Sequence, residues 1–300
     1  MEQRKLGNTD MFVNILGYGG AEIGLEGKPE SNCNVPNLLN SALDEGLNVI
    51  DTAECYGNSE ELIGKSVSKR RKDFYLFTKC GHPNGMPEEN WKPNSILLSI
   101  QRSLTRLKTD YLDLIQLHSC SQEVLVQGEV IETLQRAVDK GYTRYIGYSG
   151  DNQEAEFAVT CNAFDCLQTS INIADQSGIN AAVTLAKKHN LGVIAKRPLA
   201  NVAWKSPNLP PLEYHHTYWH RLNTLKYYFM KYPLTQSVKV ALKFTLSVPG
   251  IQTAIVGTLT SGRWKQNSQT LQEGLLPENE YNAIRKQWEE LSEPDWTGQT

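Results

Sequence analysis

Short apolar, β-branched runs alternate along this chain with amphipathic stretches of helical period. The runs are Leu47 to Ile50, Phe74 to Thr78, Leu112 to Leu117, Tyr145 to Tyr148, Cys166 to Ile171, Gly192 to Ala195 and Thr253 to Val256. Nearly continuous apolar character over so few residues predicts buried parallel strands. Between them lie Pro36 to Glu45, Glu60 to Lys69, Asn94 to Leu107, Glu129 to Lys140, Gln153 to Cys161 and Ile179 to Lys188, each with apolar residues at helical spacing. Counting Phe12 to Gly17 as the first strand gives eight strands joined by short connections. That alternation predicts an α/β fold of the (β/α)8 TIM-barrel kind.

Three places depart from the alternation. Ahead of the first strand, Arg4 to Thr9 has a turn between extended residues, which predicts an N-terminal β-hairpin capping the barrel floor. After strand 7 comes an insertion, residues 198–235, rich in Pro, Tyr, Trp and His and longer than a barrel loop requires; it is expected to be a lid or a substrate wall. Beyond Pro277, Glu278 to Leu291 reads as a C-terminal helix. The competing architecture, a doubly wound open sheet, needs a glycine-rich turn after its first strand, and Gly17-Tyr18-Gly19-Gly20-Ala21-Glu22 lacks the GxGxxG spacing.

Composition narrows the function classes. The 300 residues suit one barrel domain, and 40% hydrophobic with 21% charged residues is a globular balance. A net charge of −3, with both signs spread along the chain, offers no basic footprint for nucleic acid or an anionic membrane, so the expected partner is a small molecule. The six cysteines, at 33, 55, 80, 120, 161 and 166, contain no CxxC pair and are expected to be free thiols. Neither a secretory signal nor a long apolar run is present, so the expected location is the cytoplasm. Oligomeric state leaves no readable mark.

Barrel chemistry comes from the carboxyl ends of the strands. Asp51, Lys79 and His118 stand at three such ends, and Tyr56 follows Asp51 by five residues. Taken singly, Asp51 could cap a helix, Lys79 could be a solvated loop charge, and Tyr56 or His118 could be structural. Together they supply what carbonyl reduction needs, a proton donor at the oxygen where negative charge builds. A lysine ammonium nearby would lower the pKa of the tyrosine, an aspartate would hold that lysine charged, and the histidine could bond the carbonyl oxygen.

The stretches Asp51-Thr52-Ala53-Glu54-Cys55-Tyr56-Gly57-Asn58-Ser59-Glu60, Phe77-Thr78-Lys79 and Leu117-His118 resemble the three signature stretches of the aldo-keto reductases. The resemblance runs from the Arg4 to Thr9 hairpin to about Asn267. It implies a catalytic tetrad of Asp51, Tyr56, Lys79 and His118, with Tyr56 the general acid, and NADP(H) as cofactor. Ser149 and Gln168 would hold the nicotinamide amide, and Gly20, Lys196, Arg197 and Leu199 would contribute around the barrel mouth. Residues 255–267 resemble the family's adenosine-phosphate motif: Arg263 would pair with the 2′-phosphate, helped by Thr258, while Gln266 and Asn267 would hold the adenine. A guanidinium donates two hydrogen bonds at once to phosphate, which favours NADPH over NADH.

Three departures from the family pattern stand out. Gly150 replaces the asparagine usual after the serine, with Asp151 or Asn152 as possible substitutes. Gly257 stands where some members carry lysine. Lys196-Arg197 replaces an aromatic residue and a small polar one. If Lys196 faces the nicotinamide, it should repel the oxidised ring more than the reduced one; the alternative is that one of the two cations faces a cofactor phosphate. Cys55, Cys80 and Cys120 flank tetrad members and could converge at the mouth and make activity thiol-sensitive, although small buried thiols are the commoner case. His215, His216 and His220 include an i, i+4 pair but no third metal ligand, so no metal is expected. Trp204, Tyr214, Tyr218, Trp219, Tyr227 and Tyr228 would line the lid or pack it onto the barrel. Besides a carbonyl reductase, the residues leave open a slow-turnover cofactor-binding regulatory subunit and a non-redox barrel.

Overall fold

The computed structural model describes residues 1–25, 34–82 and 89–299. Cys33 lies outside them. The chain opens with a two-stranded antiparallel hairpin, β1 (Gln3–Lys5) and β2 (Phe12–Asn14). Eight parallel strands then close into a barrel: β3 (Leu16–Gly19), β4 (Val49–Asp51), β5 (Tyr75–Cys80), β6 (Leu112–His118), β7 (Thr143–Ser149), β8 (Cys166–Ser170), β9 (Gly192–Lys196) and β10 (Thr253–Val256), with β10 pairing back onto β3.

The expected first strand, Phe12 to Gly17, is two strands. Phe12, 53% exposed, belongs to the hairpin, and the barrel strand begins at Leu16. Ile15 joins them: its N–H bonds Glu2 O at 3.1 Å while its carbonyl accepts from Ala254 N at 2.9 Å. The hairpin closes the floor as anticipated. Leu6, Met11 and Val13 are fully buried against an inner layer of Val49, Phe77, Leu114, Cys166, Ile194 and Ile255. Gly7 makes this contact possible. At φ +54°, a Cβ there would stand 2.2 Å from Gly192 N, a position only glycine can fill.

Helices α1 (Ala21–Gly24), α2 (Val35–Asp44), α3 (Ser59–Val67), α4 (Pro93–Leu107), α5 (Gln122–Gln127), α6 (Glu129–Asp139), α7 (Asn152–Thr160) and α8 (Thr184–His189) pack outside the strands. The stretch foreseen as one helix from Ile179 begins as a π-turn, Ile179–Val183, in which Thr184 Oγ1 donates to Ile179 O at 2.8 Å. The insertion after β9 is helical rather than a plain loop. It comprises 3-10 turns at Ala200–Lys205, Glu213–His215 and Tyr228–Lys231 around α9 (His216–Leu225), and leads into α10 (Leu234–Ser247). α11 (Arg263–Gln272) and α12 (Glu278–Leu291) follow β10. No described helix is long and apolar enough to cross a membrane.

Candidate active site

Side chains alternate across a strand, so residues two apart share a face. The inner apolar layer holds Val49, Phe77, Leu114, Cys166 and Ile194; two residues onward the same inward face presents Asp51, Lys79, Gln116, Gln168 and Lys196 at the carboxyl ends. Four residues beyond Leu114 that face reaches His118. The barrel therefore stacks a polar layer directly on an apolar one.

Asp51 and Lys79 are each 1% exposed. Lys79 Nζ donates to Asp51 Oδ1 at 2.5 Å and to Thr52 O at 2.8 Å. The other carboxylate oxygen, Oδ2, accepts from Gln168 Nε2 at 2.9 Å and Gln116 Nε2 at 3.3 Å. Ser149 Oγ in turn donates to Gln168 Oε1 at 3.1 Å. Burial works against the Lys79 ammonium, yet Asp51 and the Tyr56 hydroxyl outweigh it and hold the pKa above the ordinary lysine value. Lys79 is a buried, paired cation and not a solvated charge.

Lys79 Nζ lies 5.2 Å from the centre of the Tyr56 ring, and the His118 ring stands edge-on to Tyr56 at 5.7 Å. Structure thus brings together all four residues singled out in the sequence. One electrostatic expectation changes. Burial raises the Tyr56 pKa more than Lys79 lowers it, so the phenol stays above its usual value. For His118, burial first and then Lys79, Lys196, His82 and Arg197 drive the pKa well below the ordinary histidine value. His118 is neutral at pH 7.

Cys55 Sγ is 3.3 Å from His118 Nδ1. Cys80 and Cys120 are buried in the core. Burial pushes Cys55 up to about 11 and Cys120 up to about 12. Thiols so raised are poor nucleophiles at neutral pH, which favours the buried-thiol reading over thiol sensitivity. The five described cysteines are all free.

The aldo/keto reductase family profile matches residues 15–289. The chain belongs to that family. "Uncharacterized oxidoreductase YqkF" of Bacillus subtilis is 27% identical over 304 residues, spanning 95% of this chain and 96% of that protein. L-galactose dehydrogenase of Arabidopsis thaliana is 32% identical over 158 residues, half of this chain and 49% of its own. The holo form of aldo-keto reductase AKR11C1 from Bacillus halodurans superposes with a TM-score of 0.80 at 25% identity over 96% of both chains. This chain is therefore an oxidoreductase of the aldo-keto reductase family on a (β/α)8 barrel.

Around the aldo-keto reductase mouth, the remaining sequence candidates fall into three groups. Ser149 and Gln168 join the Asp51 network as described. Gly20 N donates to Asp51 O at 2.7 Å, placing the turn after β3 beside β4. On the far side of β10, Thr258 and Asn267 are buried while Arg263 and Gln266 are exposed. The first turn of α11 carries no acidic residue and no side-chain cap, so its N–H groups and dipole, with Arg263, suit a phosphate.

Lys196 ends β9, and Arg197 and Leu199 follow it. Lys196 Nζ lies 2.8 Å from Asp151 Oδ2 and Arg197 Nη1 lies 3.9 Å from it. Arg197 also donates to Ser170 Oγ at 2.7 Å and to Gln299 O. Leu199 packs against the core. Asp151 and Asn152, the candidates to replace the asparagine missing at Gly150, both have partners within the chain. Asp151 is tied to Thr169, Ser170 and Lys196, and Asn152 Oδ1 accepts from Gly298 N at 2.6 Å.

Of the insertion aromatics, Tyr218 and Tyr227 are fully buried, and Trp204 and Trp219 pack on the core. Tyr214 is exposed and reaches the mouth, where the Arg197 guanidinium lies 5.2 Å over its ring. His216 Nε2 is 2.8 Å from Pro210 O. Among the described residues no three His, Cys, Asp or Glu converge as metal ligands. The sequence reading overlooked Gln116, although its spacing from His118 on one strand face marks it as inward-facing.

Proposed function

We propose that this chain reduces an aldehyde or ketone to an alcohol with NADPH, Tyr56 donating the proton. The observation that carries the reading is the buried Asp51–Lys79 pair beside the Tyr56 ring, with neutral His118 across from it. A bound dihydronicotinamide would supply the hydride. Tyr56, kept protonated by burial, gives its proton to the oxygen of the carbonyl, and the Lys79 ammonium stabilises the phenolate left behind. With the Cys55 thiol, 3.3 Å away, donating to His118 Nδ1, the ring proton would sit on Nε2, free to bond the substrate oxygen.

Ser149 and Gln168 would hold the nicotinamide amide, with Gly20, Lys196, Arg197 and Leu199 around the mouth. Thr258, Arg263, Gln266 and Asn267 would hold the adenosine 2′-phosphate end, and the acid-free start of α11 supports NADPH over NADH. Free thiols fit a reducing compartment such as the cytoplasm.

The test is consumption of NADPH, followed by its absorbance with a panel of aldehydes and ketones, for the wild type and Tyr56→Phe. Turnover by the wild type that the Phe variant loses supports the reading. Tight cofactor binding without turnover of any carbonyl would move a regulatory role ahead. Failure to bind NADPH would overturn the reading.

A further inference from the structure

Two lysines crowd this barrel mouth, and each has its own buried carboxylate. Lys79 has Asp51, and Lys196 has Asp151 at 2.8 Å. The second pair is specific to the departures in this chain, since Lys196 replaces an aromatic residue. Asp151 is 2% exposed. Its Oδ1 accepts from Thr169 Oγ1 at 2.8 Å and from Ser170 N at 2.6 Å, so the carboxylate is fixed in place. Burial alone would raise its pKa, but Lys196, the Ser170 N–H and Arg197 outweigh burial and keep it ionised. A close approach from the chain's last described residues seals it: a Cβ on Gly298 would stand 2.7 Å from Asp151 Cβ.

Lys196 acts on the reacting centre through space. Its charge is one of those that depress His118; for Lys196 itself, burial first, then Arg197 and Lys79, outweigh the support of Asp151 and hold the pKa below the ordinary lysine value. Any group that gains positive charge beside Tyr56 therefore feels Lys196. A dihydronicotinamide gains one unit of positive charge when it gives up a hydride. An uncompensated ammonium at this spot would penalise the oxidised dinucleotide and leave the reduced one nearly untouched.

We infer that Asp151 is a positioning residue that cancels the Lys196 charge at the mouth and so sets the relative affinity for oxidised and reduced dinucleotide. This inference rests on the reductase reading above.

The test measures the dissociation constants of NADP+ and NADPH, without substrate, by quenching of intrinsic tryptophan fluorescence. Their ratio cancels phosphate contacts, which both ligands share. Asp151→Asn keeps Oδ1 for Thr169 and Ser170, and should weaken NADP+ about tenfold relative to NADPH. Lys196→Met, which removes the nearer of the two cations on Asp151 and leaves Arg197 at 3.9 Å, should move the ratio the opposite way. The double variant should return it towards the wild-type value. An unchanged ratio in both single variants, with both folded by circular dichroism, would overturn the inference while leaving the reductase reading intact. Binding of neither dinucleotide by the wild type would overturn both.

Discussion

Lys79 Nζ and Asp51 Oδ1 meet at 2.5 Å in a place that solvent scarcely reaches. A pair so buried is costly to break from one side, because the remaining charge has neither water nor a partner. Asp51→Asn should therefore destabilise the fold by about 3–5 kcal/mol. Asp51→Asn combined with Lys79→Met should cost less than Asp51→Asn alone. Urea unfolding of both variants checks this; equal or greater loss in the double variant would mean that the ion pair is not the source of the cost.

His118 should stay neutral across the working range. Burial, then Lys79, Lys196, His82 and Arg197, all oppose its protonation. Its ring resonances in an NMR titration should not move between about pH 6 and 8, where an ordinary histidine titrates. A transition centred near the usual value would show that these surroundings do not reach the ring.

Asp175 gives stability an unusual pH dependence. Burial first, then Asp151, raise it to about 7, against Gln299 N–H, Arg221 and Tyr218 pulling down. In the unfolded chain a carboxyl titrates near 3.9. Between those values the folded state holds a proton that the unfolded state lacks, so this contribution falls as pH rises through the window and levels off above about 7. It is worth about 4 kcal/mol at most. Asp175→Asn should remove this falling slope, so the melting temperature at pH 5 minus that at pH 8 should be smaller, as a signed difference, in the variant than in the wild type, whichever other groups titrate. The same difference in both proteins would show that Asp175 ionises freely.

The barrel and its tetrad were legible because they rest on local signals. Strand runs such as Leu112 to Leu117 lie within a residue or two of their observed ends, and Asp51, Lys79 and His118 stand at those ends. What escaped was non-local or ambiguous. Residues 238–248, Val-Lys-Val-Ala-Leu-Lys-Phe-Thr-Leu-Ser-Val, alternate like a strand yet carry most of α10. Burial on several sides there, including Lys243 and Thr245, replaces the one-faced helical stripe. The Asp151–Lys196 pair joins residues 45 positions apart through the ends of β7 and β9, and Gln299 meets Arg197 across 102. No spacing rule reaches such partners. The net direction of the Tyr56 shift likewise depends on burial, which the sequence does not display.

The parity of the inward face makes the chemistry of this barrel intolerant of one kind of change. Deleting one residue within β5 ahead of Lys79, or within β6 ahead of His118, would turn that side chain out of the lumen and bring its outward neighbour in. Deleting two would keep the face but withdraw the side chain by roughly 7 Å along the strand. Point substitutions can therefore tune this site by degrees, whereas length changes in its strands act on it all or nothing.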